Sequence, residues 1–264
     1  LVAFTCFLIL STAAWADSAL KRLDTGDDSR GWEAVGKLNI DGRGFCTGAL
    51  IAPDLVLTAA HCLYEKNTGQ RIDHAKVEFL AGWRNGRASA YRNIRRAVTH
   101  PDYQFEAEVS VGRVRNDLAL LELHHPIQNT QVTPFRTDTR PHKGQEIGVV
   151  SYGRDRSDAP SIQEVCDVMG RQDGVLIMSC DVNFGSSGAP IFSFESGEPR
   201  VVSVVSAMAH VNGQKVSLGT QLQEPLSDLL AALENGEGVF QSAGPKMTTA
   251  GERRDTGAKF VKSQ

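Results

Sequence analysis

Three short strings hold groups that can do chemistry together: Thr58-Ala59-Ala60-His61-Cys62, Asn116-Asp117-Leu118-Ala119-Leu120-Leu121 and Gly185-Ser186-Ser187-Gly188-Ala189-Pro190. They supply an imidazole, a carboxylate and a hydroxyl. A serine hydroxyl is almost wholly protonated at neutral pH and attacks a carbonyl only when an imidazole takes its proton. A buried carboxylate then fixes the imidazole's tautomer. The trio points to acyl transfer, with His61 as base, Asp117 as orienting group and a serine as nucleophile. Ser186 and Ser187 compete for that role. Gly185 and Gly188 allow a tight turn, so the N–H groups of Gly185 and Ser187 can converge on one point as an oxyanion hole. The plainer readings are a surface histidine and an aspartate that merely caps the strand it begins.

Such groups must be held within about 2.6–3.2 Å of one another, so rigid elements have to carry them. Between Gly36 and Leu222 short apolar, β-branched runs alternate with turn residues, and no long helical period occurs. Strands are expected over 44–51, 55–58, 76–83, 94–99, 118–123, 146–152, 163–170, 175–180, 190–194, 201–208 and 216–222. Pro53-Asp54 turns the first into the second. This pattern argues for an all-β barrel or sandwich. One helix is expected near the end: Leu226, Leu229, Leu230 and Leu233 share a face, Pro225 suits the first turn and Asn235-Gly236 supplies the stop.

The chain opens on an uncharged apolar run, residues 1–10, and reaches Ala14-Trp15-Ala16 before Asp17. That run is shorter than the roughly 20 apolar residues of a membrane span. Residues 1–16 read as a secretory signal peptide, against the alternative of a buried helix. The chain has five cysteines; removing Cys6 with the signal leaves Cys46, Cys62, Cys166 and Cys180. An even set in an exported protein suggests disulfides, though the residues alone leave three pairings open. A zinc site competes, but no C-x-x-C spacing supports it. The net charge of −3 is modest. Residues 241–264 gather five basic groups against two acidic ones, read as part of a solvated tail, 236–264, and not as a nucleic-acid arm.

The three strings, in the order His, Asp, Ser, resemble the signature blocks of the chymotrypsin/trypsin family of serine peptidases; other triad folds use other orders. The serine block is most similar to the bacterial exported branch. The resemblance implies two six-stranded antiparallel barrels with the triad between them, plus a C-terminal helix packed on the body. It implies Ser187 as nucleophile, a Cys46–Cys62 bridge stapling the histidine loop, and thus Cys166–Cys180. Ser206, in the strand Val205-Ser206-Ala207-Met208 that pairs with substrate, is implied to hydrogen-bond Asp117. His100-Pro101-Asp102-Tyr103 resembles a structural loop of the family.

Several positions depart from the digestive members. Ser186 replaces the aspartate that pairs with a freshly cut N-terminus, no Ile-Val-Gly-Gly start occurs, and Cys180 lies further from Ser187. Signal removal alone is therefore expected to yield active protein. Asp181 stands where trypsin-like members carry the acid that binds Arg or Lys, unless it is simply a solvated neighbour. Met208 replaces a pocket-opening glycine, and Val205 stands where glutamyl endopeptidases carry a histidine. The domain expectation is an N-terminal barrel over 17–135 (His61, Asp117) and a C-terminal barrel with the helix over 136–235 (Ser187). The function implied is a secreted or periplasmic serine endopeptidase with a lean towards basic residues before the cut. A non-catalytic binding module and an esterase are the alternatives. No metal or organic cofactor, nucleic acid or stable membrane partner is implied, only a protein or peptide substrate.

Overall fold

The structure, a computed structural model, describes residues 18–105, 108–139 and 141–239. The expected signal, 1–16, and the tail beyond Val239 lie outside them. The strands in chain order are β1 (Lys21–Arg22), β2 (Val35–Ile40), β3 (Gly44–Ala52), β4 (Leu55–Thr58), β5 (Val77–Ala81), β6 (Ala90–Thr99) and β7 (Ala119–Leu123). They continue as β8 (Arg136–Thr137), β9 (Glu146–Gly153), β10 (Arg156–Gln172), β11 (Val175–Met178), β12 (Pro190–Ser193), β13 (Arg200–Val211) and β14 (Gln214–Gln221). Two helices join them, α1 (Val111–Arg115) and α2 (Gln223–Glu234).

These strands form two closed antiparallel barrels. The first runs β2-β3-β4-β7-β6-β5 and closes through the β2–β5 pairing. The second runs β9-β10-β11-β14-β13-β12 and closes where β12 pairs β9. Short β1 and β8 add to its outside along β10 and β13. Every strand expected from the apolar runs is present within a few residues, except that β10 begins seven residues earlier, at Arg156. Three strands were not expected: the two-residue β1 and β8, too short to show a pattern, and β2, whose VGKLNI sequence interleaves glycine, lysine and asparagine among its apolar positions.

Asx-Gly pairs set the hairpins. Asp41-Gly42, Asp173-Gly174 and Asn212-Gly213 each have two successive positive φ angles, as two-residue hairpin turns require to match the strand twist. They join β2 to β3, β10 to β11 and β13 to β14. The second barrel has its own apolar interior around Ile147, Val149, Leu176, Met178 and Ile191. The first barrel's core continues across the interface into Tyr152, Phe192 and Val204. Trp32, Phe135 and Phe192 close that seam with ring centroids 4.7–5.9 Å apart.

Helix α2 buries Leu226, Leu229 and Ala232 and leaves Leu230 half-exposed. It ends at Asn235, followed by Gly236 at φ 83°. Although it follows the second barrel in sequence, it packs with the first barrel's core, and Arg96 of β6 donates to the Leu233 carbonyl at 3.1 Å. Among the described residues no helix is long and apolar enough to cross a membrane.

Two disulfides pin the loops beside the barrels, Cys46–Cys62 and Cys166–Cys180. Their ends lie 16 and 14 residues apart, and closing loops of this size is worth about 3 kcal/mol. Replacing Cys46 and Cys62 together by alanine is expected to lower the melting temperature by about 6–12 °C, read by calorimetry of the purified variant.

Candidate active site

Strand β4 ends at Thr58, and a single 3-10 turn over Ala60–Leu63 follows, which carries His61. Cys62 in that turn is bonded back to Cys46 of β3, so the imidazole hangs from a closed loop. Asp117 sits just ahead of β7 with a solvent exposure of 0 %. One carboxylate oxygen accepts from the His61 backbone N–H at 2.8 Å, while the other lies 2.6 Å from His61 Nδ1. The Ser206 hydroxyl donates to that second oxygen at 2.5 Å. A buried carboxylate is tolerable only when its lone pairs are filled, and here three groups fill them. With Nδ1 facing a carboxylate, the opposite ring nitrogen is the one left to accept a proton.

The serine loop lies across the barrel interface. Gly185 has φ 99° and Gly188 φ 79°, so both adopt a backbone that side chains rarely take. A Cβ at Gly188 would also collide with Thr58 Oγ1 and the Thr47 carbonyl, and one at Gly185 with the Phe45 ring. Ser186 and Ser187 separate sharply. Ser186 is buried, its hydroxyl held among Asn183 N–H, Ser151 Oγ and the Tyr152 carbonyl at 3.1–3.2 Å. Ser187 is partly exposed and lines a groove of about 830 Å³ together with His61 and Gly185. Among the described residues no hydrogen bond joins Ser187 Oγ to His61; contacts of this kind tighten when substrate is bound.

Two groups that hold this loop were not singled out from the sequence. Thr47 of β3 donates its N–H to the Ser187 carbonyl at 2.8 Å and its hydroxyl to the Gly185 carbonyl at 2.9 Å. Its hydroxyl oxygen also accepts from the Tyr152 N–H at 3.1 Å. Arg156, 9 % exposed, reaches Ser186 Oγ at 3.3 Å and the Ser151 carbonyl at 2.5 Å. Burial pushes its pKa down, countered by Asp155 and Asp181, but a guanidinium stays charged in a protein. Thr47 does lie inside the strand expected over 44–51, but nothing marks its side chain as a bridge. Arg156 follows an Arg-Asp pair that reads as ordinary surface.

The candidate specificity residues lie apart from the groove. Asp181 is exposed, and its carboxylate is bridged by Lys215 at 2.8 Å. Met208 packs against the interior of the second barrel. His61, Cys46 and Cys62 bring ligand-type atoms within 4.8 Å of one another, but the sulfurs are bonded to each other and offer no thiolate to a metal. His100 is buried with its Nε2 3.6 Å from Asp228 of α2, a structural position.

Residues 25–223 match the protein family described as Trypsin. The chain belongs to this family, the chymotrypsin/trypsin-like serine peptidases. It is 25 % identical over 197 residues to the glutamyl endopeptidase of Bacillus licheniformis, covering 73 % of this chain and 60 % of that protein. Human Kallikrein-15 is 33 % identical over 150 residues, covering 56 % of this chain and 53 % of the relative. The chain thus spans little more than half the length of these relatives. A solved structure of a Glu endopeptidase in complex with MPD shares the fold, with a TM-score of 0.65 at 18 % identity, covering 85 % of this chain and 100 % of that one.

The bridging role of Thr47 can be measured. Thr47→Val keeps the shape but leaves the buried Tyr152 N–H and Gly185 carbonyl without their partner. It is expected to cost about 1–3 kcal/mol in urea unfolding. Turnover of a peptide substrate should fall by about tenfold, since a loosened serine loop misplaces the reacting atoms.

Proposed function

We propose that the chain is a serine endopeptidase that cuts peptide bonds through an acyl-enzyme. The observation that carries this reading is the double grip of Asp117 on His61 in a groove shared with Ser187. His61 takes the Ser187 proton as the hydroxyl oxygen bonds to the scissile carbonyl carbon. The carbonyl oxygen becomes an oxyanion facing the N–H groups of Gly185 and Ser187. The tetrahedral intermediate collapses as His61 returns the proton to the departing amine, and water then repeats the sequence to free the acid. Asp117 accepts the Nδ1 hydrogen bond throughout and stabilises the imidazolium.

Family membership supports a peptidase. The two disulfides fit an oxidising compartment and support export from the cytoplasm. For the residue before the cut we retain a basic preference through Asp181. Its carboxylate is held by Lys215, so an incoming Arg or Lys exchanges with that ammonium. Lys215→Ala is then expected to raise kcat/KM on peptides with Arg or Lys before the cut by about threefold or more. No rise, or faster cleavage after Glu, assigns Asp181 a solvated role and moves the specificity towards that of the glutamyl endopeptidase relative.

Ser187→Ala should abolish cleavage of casein while the far-UV circular dichroism is unchanged. Ser186→Ala should keep substantial activity, because its hydroxyl faces inwards. The opposite result transfers the nucleophile to Ser186. Hydrolysis of small esters without casein cleavage points to an esterase, and neither activity points to a binding module.

A further inference from the structure

The groove beside His61 and Ser187 does not run evenly charged. It is lined by Arg43, Lys66, Arg71, Lys76 and Arg154 against Asp41, Glu65 and Asp73, in a chain whose net charge is negative. Some of these cations are already engaged. Arg43 pairs with Asp41. Arg71 is spent on Thr99 Oγ1 at 2.8 Å and the Ala97 carbonyl at 2.6 Å. Lys66 and Arg154 differ: among the described residues neither has a carboxylate within ion-pair distance. Both are exposed and both lie against the ring of Phe184, Lys66 Nζ at 5.3 Å and Arg154 Cζ at 4.6 Å from its centroid.

Phe184 is 48 % exposed, a large apolar group left in the open beside the reacting centre. Its carbonyl accepts from the Arg154 N–H at 2.7 Å, and Gly185 follows it directly. The ring therefore holds two cations at the lip of the loop bearing the nucleophile. The side of the cut they serve follows from the chemistry. His61 must hand its proton to the departing amine, so the segment after the scissile bond passes over the imidazole and the Cys46–Cys62 bridge. Both cysteines line this same groove, whereas Asp181, Ser206 and Met208 do not.

We propose that Lys66 and Arg154, clamped on Phe184, form a subsite for an acidic side chain one to three residues after the cleaved bond. The ring fixes two long side chains in place, which lowers the entropy lost on pairing, and cation–π contact leaves their donors free for a carboxylate. The substrate class is then a protein cut immediately ahead of Asp or Glu residues. This rests on the endopeptidase reading above.

The test uses internally quenched peptides identical up to the cut and carrying Asp, Gln or Lys at each of the first three positions after it. The native protein is expected to cleave the best Asp peptide about fivefold faster than its Gln counterpart, and Lys more slowly still. At about 0.5 M salt that ratio should shrink towards one, because screening weakens exposed pairs. In Lys66→Glu/Arg154→Glu the order should reverse, and thermal unfolding checks that the variant is folded. Lys66→Gln alone should give an intermediate ratio. Equal cleavage of all three peptides, or an acidic preference that survives the charge reversal, overturns the subsite while leaving the endopeptidase reading intact. A series in which no peptide is cut overturns both.

Discussion

Each half of the candidate site is held by the other barrel, and this reciprocity constrains everything else. Thr47, in the first barrel, grips the serine loop through its N–H and its hydroxyl. Ser206 and Thr220, in the second, grip the aspartate segment: Ser206 donates to the Asp117 carboxylate, and Thr220 Oγ1 donates to the Val114 carbonyl at 2.6 Å. Hydrogen bonds between buried groups are costly to break, because a parted partner finds no water. The two barrels therefore cannot slide without stranding polar groups at several points. The glycine at 188 follows from the same constraint, since its Cβ would fill the space where Thr58 and Thr47 close on the loop.

The electrostatics of the interface balance in an unusual way. The Asp117 carboxyl group is fully buried, with the His61 imidazole 2.6 Å away as its neighbour. Arg156 is buried and positive beneath the serine loop, with neutral oxygens as its hydrogen-bonding partners. A desolvated cation is costly, and three hydrogen bonds together with the nearby charges of Asp155 and Asp181 offset part of that cost. Lying behind the residue next to Ser187, it contributes a field of the sign that an oxyanion in the loop would feel as attractive.

Much of the fold was legible because the apolar runs and the turns agree. Asp41-Gly42 and Asn212-Gly213 mark hairpins with a stated backbone reason, and Leu226 and Leu229 mark the buried face of α2. Strand β2 escaped because it holds no continuous apolar run; the alternation of Lys37 and Asn39 with Leu38 and Ile40, closed by Asp41-Gly42, was the signal that could have found it. His61, Asp117 and Ser187 were singled out from three strings because acyl transfer would need those residue types in tight local contexts, and the structure brings His61 against Asp117 in a groove that Ser187 also lines. Thr47 and Arg156 were not, because their value lies in partners more than a hundred residues away for Thr47, and in burial for Arg156. Asp181 was legible as a residue but not in its state: nothing in the local string announces that Lys215, across the β13–β14 hairpin, already occupies its carboxylate.

The two ends of the described chain lie across the midline from the barrels they adjoin in sequence. Strand β1 precedes the first barrel yet lies along β10 of the second, with Ser18 and Leu23 also bonded to Val165 and Pro160. Helix α2 follows the second barrel yet seals the first. Neither half, cut between residues 135 and 136 and expressed by itself, would carry all the segments that pack on its own barrel. The duplicate-looking architecture is thus not modular. Its halves are therefore expected to unfold as one cooperative unit and to resist being shuffled barrel by barrel into other proteins.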